Sequence, residues 1–125
     1  MKEYMLAQEN RFHGHASLKY VYRNGNVSRS RLFVVKAITN SRRSNTRCSI
    51  VVSKKVLKSA VGRNRVRRRM YHLVHEYLPY IHDAQDIVVI IYSAEVATMP
   101  HTELRAQLLE QLSEAKVEVL LARLE

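Results

Sequence analysis

The sequence predicts one α+β domain, a mixed α/β sandwich with the element order α-β-β-α-β-α. Three observations lead to this prediction. The chain has 125 residues, which suffice for one hydrophobic core and are too few for two ordinary domains. Apolar residues recur at helical spacing in some segments and alternate with polar residues in another. A further unbroken apolar run is typical of a strand buried on both sides of a sheet.

The N-terminal region is expected to begin with a flexible arm, residues 1–14, because no apolar periodicity is visible there. A short helix is predicted over residues 17–23, with Ser17 as its N-cap. The sequence Asn24-Gly25-Asn26 then predicts a turn that ends this helix.

Two strands are predicted next, over residues 31–39 and 46–53, joined by a polar and basic turn. The second strand alternates between two kinds of face. Its apolar face carries Cys48, Ile50 and Val52, and its mixed face carries Arg47, Ser49, Val51 and Ser53. We therefore expect one face to pack on the core and the other to be able to meet a ligand.

The C-terminal half predicts a helix, a buried strand and a final helix. The first helix ends before Pro79, the strand covers residues 87–92, and the last helix starts near Pro100. The last helix could extend over residues 113–125, where its final turns could instead mediate self-association. Apolar positions of the two helices are Val66, Met70, Leu73, Val74 and Tyr77, then Leu104, Leu108, Leu112, Ala115 and Val119.

The charge balance predicts a polyanionic partner. The chain has 21 Lys plus Arg against 11 Asp plus Glu, a formal net charge of +10, and a pI near 10.1. Nucleic acid is the first candidate, and an anionic membrane surface is the second. The single cysteine cannot form an internal disulfide, and no apolar stretch is long enough for a signal peptide or a membrane span. We therefore expect a cytoplasmic protein.

Most of the excess charge lies in the basic block, residues 54–69. Eight basic side chains and no acidic ones occur there. On a helix, Arg65, Arg68 and Arg69 share one face, roughly opposite the apolar stripe, and Asn64 lies at its edge. Guanidinium groups bind phosphate oxygens with two parallel hydrogen bonds, so this face favours phosphate recognition over a merely solvated surface. Helix-turn-helix spacing, zinc ligands and basic heptads, which are typical of DNA-binding proteins, are absent from the sequence.

The basic block also carries a resemblance to a known family. Ser53-Lys54-Lys55-Val56, followed by Ala-Val-Gly-Arg-Asn-Arg-Val-Arg-Arg at residues 60–68, closely resembles the signature of the bacterial ribonuclease P protein component family. Its hallmark is Arg-Asn-Arg followed by an aliphatic and two basic residues. The resemblance extends over about residues 11–112. It implies a fold like that of domain 2 of ribosomal protein S5, with a left-handed β-α-β crossover.

The resemblance implies that the chain is the protein subunit of an endoribonuclease that removes the 5′ leader of precursor tRNA. Its partners would be ribonuclease P RNA and precursor tRNA, with no membrane and no small-molecule substrate. The RNA subunit would carry the catalytic centre and bind the Mg²⁺ ions, so no catalytic residue and no metal site are expected in the protein.

The resemblance also implies two sets of RNA-binding residues. Catalytic RNA would contact Arg63, Asn64, Arg65, Arg67, Arg68 and Arg69. The leader would lie between the first helix and the open face of the sheet, against Tyr22, Phe33, Lys36, Arg47, Ser49, Val51, Ser53, Lys54 and Lys55. Leu18 and Lys36 stand where relatives often have aromatic residues, which implies weaker stacking and stronger charge here.

Other interpretations of the sequence stay open. A ribosomal or accessory RNA-binding protein without a catalytic role would also suit a basic helix on a small sheet, and a metal-dependent nuclease has little support. The pairs His13/His15 and His72/His75 lack a convincing third metal ligand. Cys48 is expected in the core rather than as a nucleophile. Tyr71, Tyr77, Tyr80 and Tyr92 are expected in the core or at its edge.

Overall fold

Four strands form one sheet, and helices lie on both of its faces. The computed structural model describes residues 15–120 of the chain. Its elements are α1 (His15–Asn24), β1 (Asn26–Arg29), β2 (Phe33–Thr39), β3 (Arg47–Val52), α2 (Ala60–Tyr77), β4 (Gln85–Ile91) and α3 (His101–Glu114), with short 3₁₀ turns at Leu78–Tyr80 and Ala94–Ala97. None of the helices within this range is long and apolar enough to span a membrane.

The strand order is β1-β2-β4-β3. β2 pairs antiparallel with both β1 and β4, whereas β3 and β4 are parallel neighbours. Because α2 connects these two parallel strands, β3, α2 and β4 form a β-α-β unit. This arrangement confirms the predicted α+β class, and the left hand of the crossover stays a prediction.

β1 was not predicted from the sequence, and the observed order is α-β-β-β-α-β-α. The predicted turn at Asn24-Gly25-Asn26 does end α1, and the Gly25 amide donates to Val21 O at 2.8 Å. A Cβ at Gly25 would lie 2.7 Å from that same oxygen, so a larger residue would not fit. The chain then enters β1 directly, with Asn26 opposite Ala37 and Arg29 opposite Val34.

The main core lies between the sheet and the two helices α2 and α3. The predicted stripe of α2 is buried in full, and the stripe of α3 is buried from Leu104 through Ala115. Gln111, also buried, donates to Ser28 O and Phe33 O and thereby ties α3 to β1 and β2. Each buried Leu, Val or Met side chain contributes about 1.5–3 kcal/mol, so this face supplies most of the hydrophobic stabilisation.

The opposite face of the sheet is partly covered by α1. Val21 is fully buried and packs with Val88 of β4, while Leu18, Ile38 and Val51 surround this pair. The prediction that β4 is buried on both faces is therefore confirmed. Helices α2 and α3 lie on one side of the sheet and α1 on the other.

The last helix ends earlier than the predicted extension. α3 stops at Glu114, and residues 115–120 are not helical. Lys116 has a φ of 67°, its amide donates to Ser113 O, and the Val117 amide donates to Leu112 O. These two bonds are those of a Schellman motif, which reverses the chain direction. The chain then returns to pair Val119 with Ile81. The predicted arm, residues 1–14, and residues 121–125 lie outside the described residues.

Candidate nucleic-acid interface

The basic helix α2 begins immediately before the Arg-Asn-Arg sequence. Ser59 is its N-cap, and the Ser59 hydroxyl accepts a hydrogen bond from the Gly62 amide at 3.2 Å. Val66 and Met70 are buried against the core. Because this side of α2 is packed on the core, the opposite side of the helix faces solvent in a fixed orientation.

A pocket of about 310 Å³ lies between α2 and the first residue of α3. Its lining consists of Arg65, Arg68, Arg69, His72 and His101. The prediction that the three arginines share one face is thus confirmed. Asn64 is exposed and accepts a hydrogen bond from Arg67 Nη2 at 2.6 Å. His72 and His101 were not predicted to lie on this face.

Two of the predicted RNA-contacting arginines also support the local structure. Arg63 Nη1 donates to Leu57 O at 2.9 Å and to Lys58 O at 2.8 Å. Arg69 donates to Val96 O at 2.7 Å and to Met99 O at 2.5 Å. These acceptors are neutral carbonyls, so the hydrogen bonds fix the guanidinium groups without cancelling their charge.

The electrostatics of this face confirm that positive charge is concentrated there. Burial and, to a smaller extent, the charge of Arg65 lower the pKa of Arg69 below its ordinary value. Arg65 is exposed, and neither it nor Arg69 forms an ion pair within residues 15–120. An anion that approaches this face would therefore meet the charges of Arg65 and Arg69, which no ion pair within residues 15–120 neutralises.

A second candidate surface lies on the α1 side of the sheet. Lys36 Nζ stands 4.9 Å from the centroid of the Tyr22 ring, in a cation–π contact. Tyr92 follows β4 directly and is 56% exposed, so the expectation that it lies in the core or at its edge is wrong. Burial and, to a smaller extent, Tyr92 raise the pKa of Tyr22 above its ordinary value of 10.

Basic residues extend this surface beyond β3. Ser53, Lys54 and Lys55 are all exposed, and Val51 is half-buried on the α1 side. β3 and β4 are parallel with Val52 opposite Ile91, so Ser53 and Tyr92 leave the sheet at the same edge. Aromatic and basic groups are therefore combined at this edge.

Three predicted leader-binding residues are not accessible. Phe33 is fully buried on the core face of β2, so its predicted place on the open face is wrong. Ser49 is on the α1 side but is buried, since it lies opposite Val88 beneath α1. Arg47 is also buried, and its Nε and Nη2 donate to the carboxylate of Asp86 at 2.9 and 2.7 Å. Its predicted contact with the leader is therefore replaced by an internal ion pair.

That ion pair forms part of a cleft of about 420 Å³ between α1 and the turn after β2. Asn40 Nδ2 also donates to Asp86, at 2.9 Å. Tyr20, which is 58% exposed, and Arg42 also line this cleft, and neither was predicted from the sequence as a site residue. The lining is Ala16, Ser17, Tyr20, Ile38, Thr39, Asn40, Ser41, Arg42, Arg47 and Asp86.

In the described part of the chain, groups suited to metal binding or nucleophilic chemistry are not gathered at either surface. Within residues 15–120, no three His, Cys, Asp or Glu side chains are placed to hold a metal ion together. The pair His13/His15 cannot be assessed, because His13 and the His15 side chain lie outside the description. Cys48 is fully buried on the core face, which confirms the sequence prediction, and burial raises the pKa of its thiol.

Comparisons with known proteins agree with this arrangement. A family model described as Ribonuclease P matches residues 6–116. The ribonuclease P protein component of Pseudanabaena sp. is 36% identical over 114 residues, which cover 90% of this chain and 97% of that protein. The corresponding protein of Roseiflexus sp. is 35% identical over 97 residues, 78% of each chain.

A solved structure of the RNase P protein of Staphylococcus aureus superposes with a TM-score of 0.75 at 30% sequence identity. The superposition covers 86% of this chain and 96% of that one. The resemblance noted in the Arg-Asn-Arg segment is thus confirmed over nearly the whole chain. The chain belongs to the ribonuclease P protein family and is a protein component of ribonuclease P.

Proposed function

We propose that this chain binds two RNA segments at once, the catalytic RNA on α2 and the 5′ leader of precursor tRNA on the α1 side of the sheet. The observation that carries the proposal is the placement of α2 and α1 on opposite faces of one four-stranded sheet. Two polyanions repel each other, and a basic protein between them reduces that repulsion.

The exposed face of α2 suits a folded RNA. Its arginines form a fixed row, because the helix is packed along its apolar side and some of the guanidinium groups are held by carbonyls. A row of forked donors recognises backbone phosphates by spacing and charge and carries little sequence information. This is the recognition expected for a large structured RNA whose shape presents phosphates at constant positions.

The α1 side suits a single strand. Exposed bases can stack on the rings of Tyr22 and Tyr92, and each stacked base contributes about 1–3 kcal/mol. Lys36 is held beside Tyr22, and Lys54 and Lys55 lie at the edge where Tyr92 emerges. The strand would thus contact aromatic rings through its bases and ammonium groups through its backbone.

The protein's contribution to cleavage is then binding and positioning. We assign no reacting group to the chain, and the described residues offer no ligand set to which a metal-dependent step could be attributed. That the RNA subunit holds the Mg²⁺ ions stays a prediction. By fixing the leader relative to the catalytic RNA, the protein would lower the entropic cost of bringing the scissile bond into place.

Reconstitution with a bacterial ribonuclease P RNA tests the proposal. At low magnesium, the protein should stimulate cleavage of precursor tRNA. The variant Arg65→Ala/Arg68→Ala should weaken binding to ribonuclease P RNA and reduce its log-log salt dependence by about two units if two phosphate contacts are lost. Lys54→Ala/Lys55→Ala should weaken binding of precursor with a leader while leaving binding of leaderless tRNA unchanged.

A matched control is Lys116→Gln, which removes an exposed charge at the far end of α3. It should behave as the parent protein in every assay. Equal loss of precursor and leaderless tRNA binding by the Lys54/Lys55 variant would contradict a leader surface at this edge. Absence of any stimulation by the parent protein would contradict the proposed function as a whole.

A further inference from the structure

The pocket between α2 and α3 combines side chains from two elements that are distant in sequence. Four of its lining residues lie on consecutive turns of α2, and His101 is the first residue of α3. A volume of about 310 Å³ exceeds the roughly 30 Å³ that one water occupies in the liquid several times over. The pocket therefore has room for a phosphate group with part of its hydration.

The two histidine rings of the pocket lie beside one carboxylate. Their centroids are 6.0 Å apart, and Glu76 Oε1 lies 3.4 Å from His72 Nε2 and 3.5 Å from His101 Nε2. The other oxygen of Glu76 lies 3.3 Å from Arg105 Nη2. Both histidine side chains are about two-fifths exposed, so the rings can be reached from solvent, although the Nδ1 atom of His72 is itself buried.

The charges around the rings favour an anion. Among the described residues, the charged groups near the rings are Arg65, Arg68, Arg69 and Arg105, and the carboxylate of Glu76. Glu76 already pairs with Arg105, and neither Arg65 nor Arg69 forms an ion pair within residues 15–120, so an excess of positive charge remains. Each protonated imidazole would add one positive charge to this excess.

We propose that this pocket binds one backbone phosphate of ribonuclease P RNA, held by Arg65 and Arg68 together with His72 and His101, and that binding strengthens as the pH falls. This inference rests on the proposed contact between α2 and the catalytic RNA and adds His72, His101 and a pH dependence to it. The sign follows from the chemistry, because a protonated imidazole attracts phosphate and a neutral one does not. Histidine side chains as a class change charge between about pH 5 and 8.

Binding of inorganic phosphate to the protein alone tests the pocket without RNA. At pH 6.5, NMR signals of the imidazole Cε1 protons are followed as phosphate replaces chloride at constant ionic strength, with signals assigned from His→Gln variants. His72 and His101 should shift together with one saturation curve, whereas the exposed His75 and His82 should not. Shifts of equal size at His72, His101, His75 and His82, or none at His72 and His101, would overturn the pocket as a phosphate site.

Binding of ribonuclease P RNA tests the source of the phosphate. Between pH 8 and pH 6 the parent protein should gain affinity, and His101→Gln should lose about tenfold at pH 6 and less than about twofold at pH 8. His101→Lys, which stays charged throughout, should keep high affinity and show a weaker pH dependence. His75→Gln, on the same helix outside the pocket, should match the parent protein.

These outcomes separate the inference from the proposed function. If Arg65→Ala weakens RNA binding while His101→Gln and His72→Gln bind as the parent protein does at pH 6, the basic face stands and the histidine pocket is refuted. If the histidine variants weaken only the binding of precursor tRNA, the phosphate bound in the pocket does not belong to ribonuclease P RNA, and the proposal is refuted. Thermal unfolding of each variant shows whether it is folded, so that RNA affinities are compared only among folded proteins.

Discussion

The buried ion pair between Arg47 and Asp86 leads to a prediction that separates structural from RNA-binding roles. Two hydrogen bonds of 2.9 and 2.7 Å join the side chains, which are 11% and 7% exposed. In Arg47→Met the carboxylate of Asp86 would stay buried with the Asn40 amide as a remaining donor. We expect the variant to be strongly destabilised while its RNA surfaces are unchanged.

The magnitude follows from the cost of an unpaired buried charge. Removing one partner of a buried pair costs about 3–5 kcal/mol, and the Asn40 hydrogen bond places this site near the lower end, at about 3 kcal/mol. Domains of this size unfold with about 5–15 kcal/mol, so the loss is a large fraction of the total. Replacing both partners, in Arg47→Met/Asp86→Leu, removes the charge as well and should restore most of the stability.

Urea unfolding followed by circular dichroism measures this effect. With a slope of about 1–3 kcal/mol per molar urea, a loss of about 3 kcal/mol lowers the midpoint by about 1–3 M. Below the transition, the folded fraction of Arg47→Met should bind precursor tRNA as the parent protein does. A midpoint shift under about 0.5 M, or a double variant no more stable than the single one, would refute the reasoning.

Three further predictions concern other sites. Tyr92→Ala should weaken binding of a precursor's single-stranded leader by about tenfold, measured against leaderless tRNA, and Tyr92→Phe should retain binding because stacking needs only the ring. Gly25→Ala should destabilise the domain by more than about 1 kcal/mol in the same urea assay, because its Cβ would meet the Val21 carbonyl at 2.7 Å. The Cys48 thiol should resist thiol reagents in the native protein up to about pH 9, since burial raises its pKa. It should react once the protein is unfolded in urea. Rapid labelling of the folded protein would contradict this prediction.

Elements with strong periodicity could be predicted from the sequence, and the missed strand shows where such patterns fail. The stripes of α2 and α3 are long enough for the helical period to be unmistakable. β1 has only four residues, Asn-Val-Ser-Arg, whose burial depends on pairing with β2 and on α3 behind it. No local pattern distinguishes such a segment from the rest of a turn.

The face on which a strand residue lies follows from the alternation of side chains along the strand. Phe33 and Lys36 are three residues apart, so they lie on opposite faces of β2 and could not both contact the leader. The same rule places Tyr92 with Val88 and Ile90 on the α1 side. The alternation of side chains along a strand thus indicates which residues share a face of the sheet, whereas composition does not.

The partner of Arg47 lay beyond any local pattern. Arg47 and Asp86 are 39 residues apart, and they meet because β3 and β4 pair in parallel with these two residues in register. A basic residue on the mixed face of a strand is indistinguishable in sequence from one that contacts RNA. The same holds for His101, which reaches the pocket of α2 only through the docking of α3.

The basic block poses a physical problem that the structure resolves. A helix rich in arginine with no acids in its first turns lacks the i,i+4 pairs that usually stabilise an exposed face. Here Arg63 and Arg69 donate instead to backbone carbonyls of the preceding loop and of the turn before α3. Carboxylate partners would hold the same side chains but would cancel their charge. Carbonyl acceptors hold them and leave the charge in place, so the order of this face is compatible with a high affinity for phosphate.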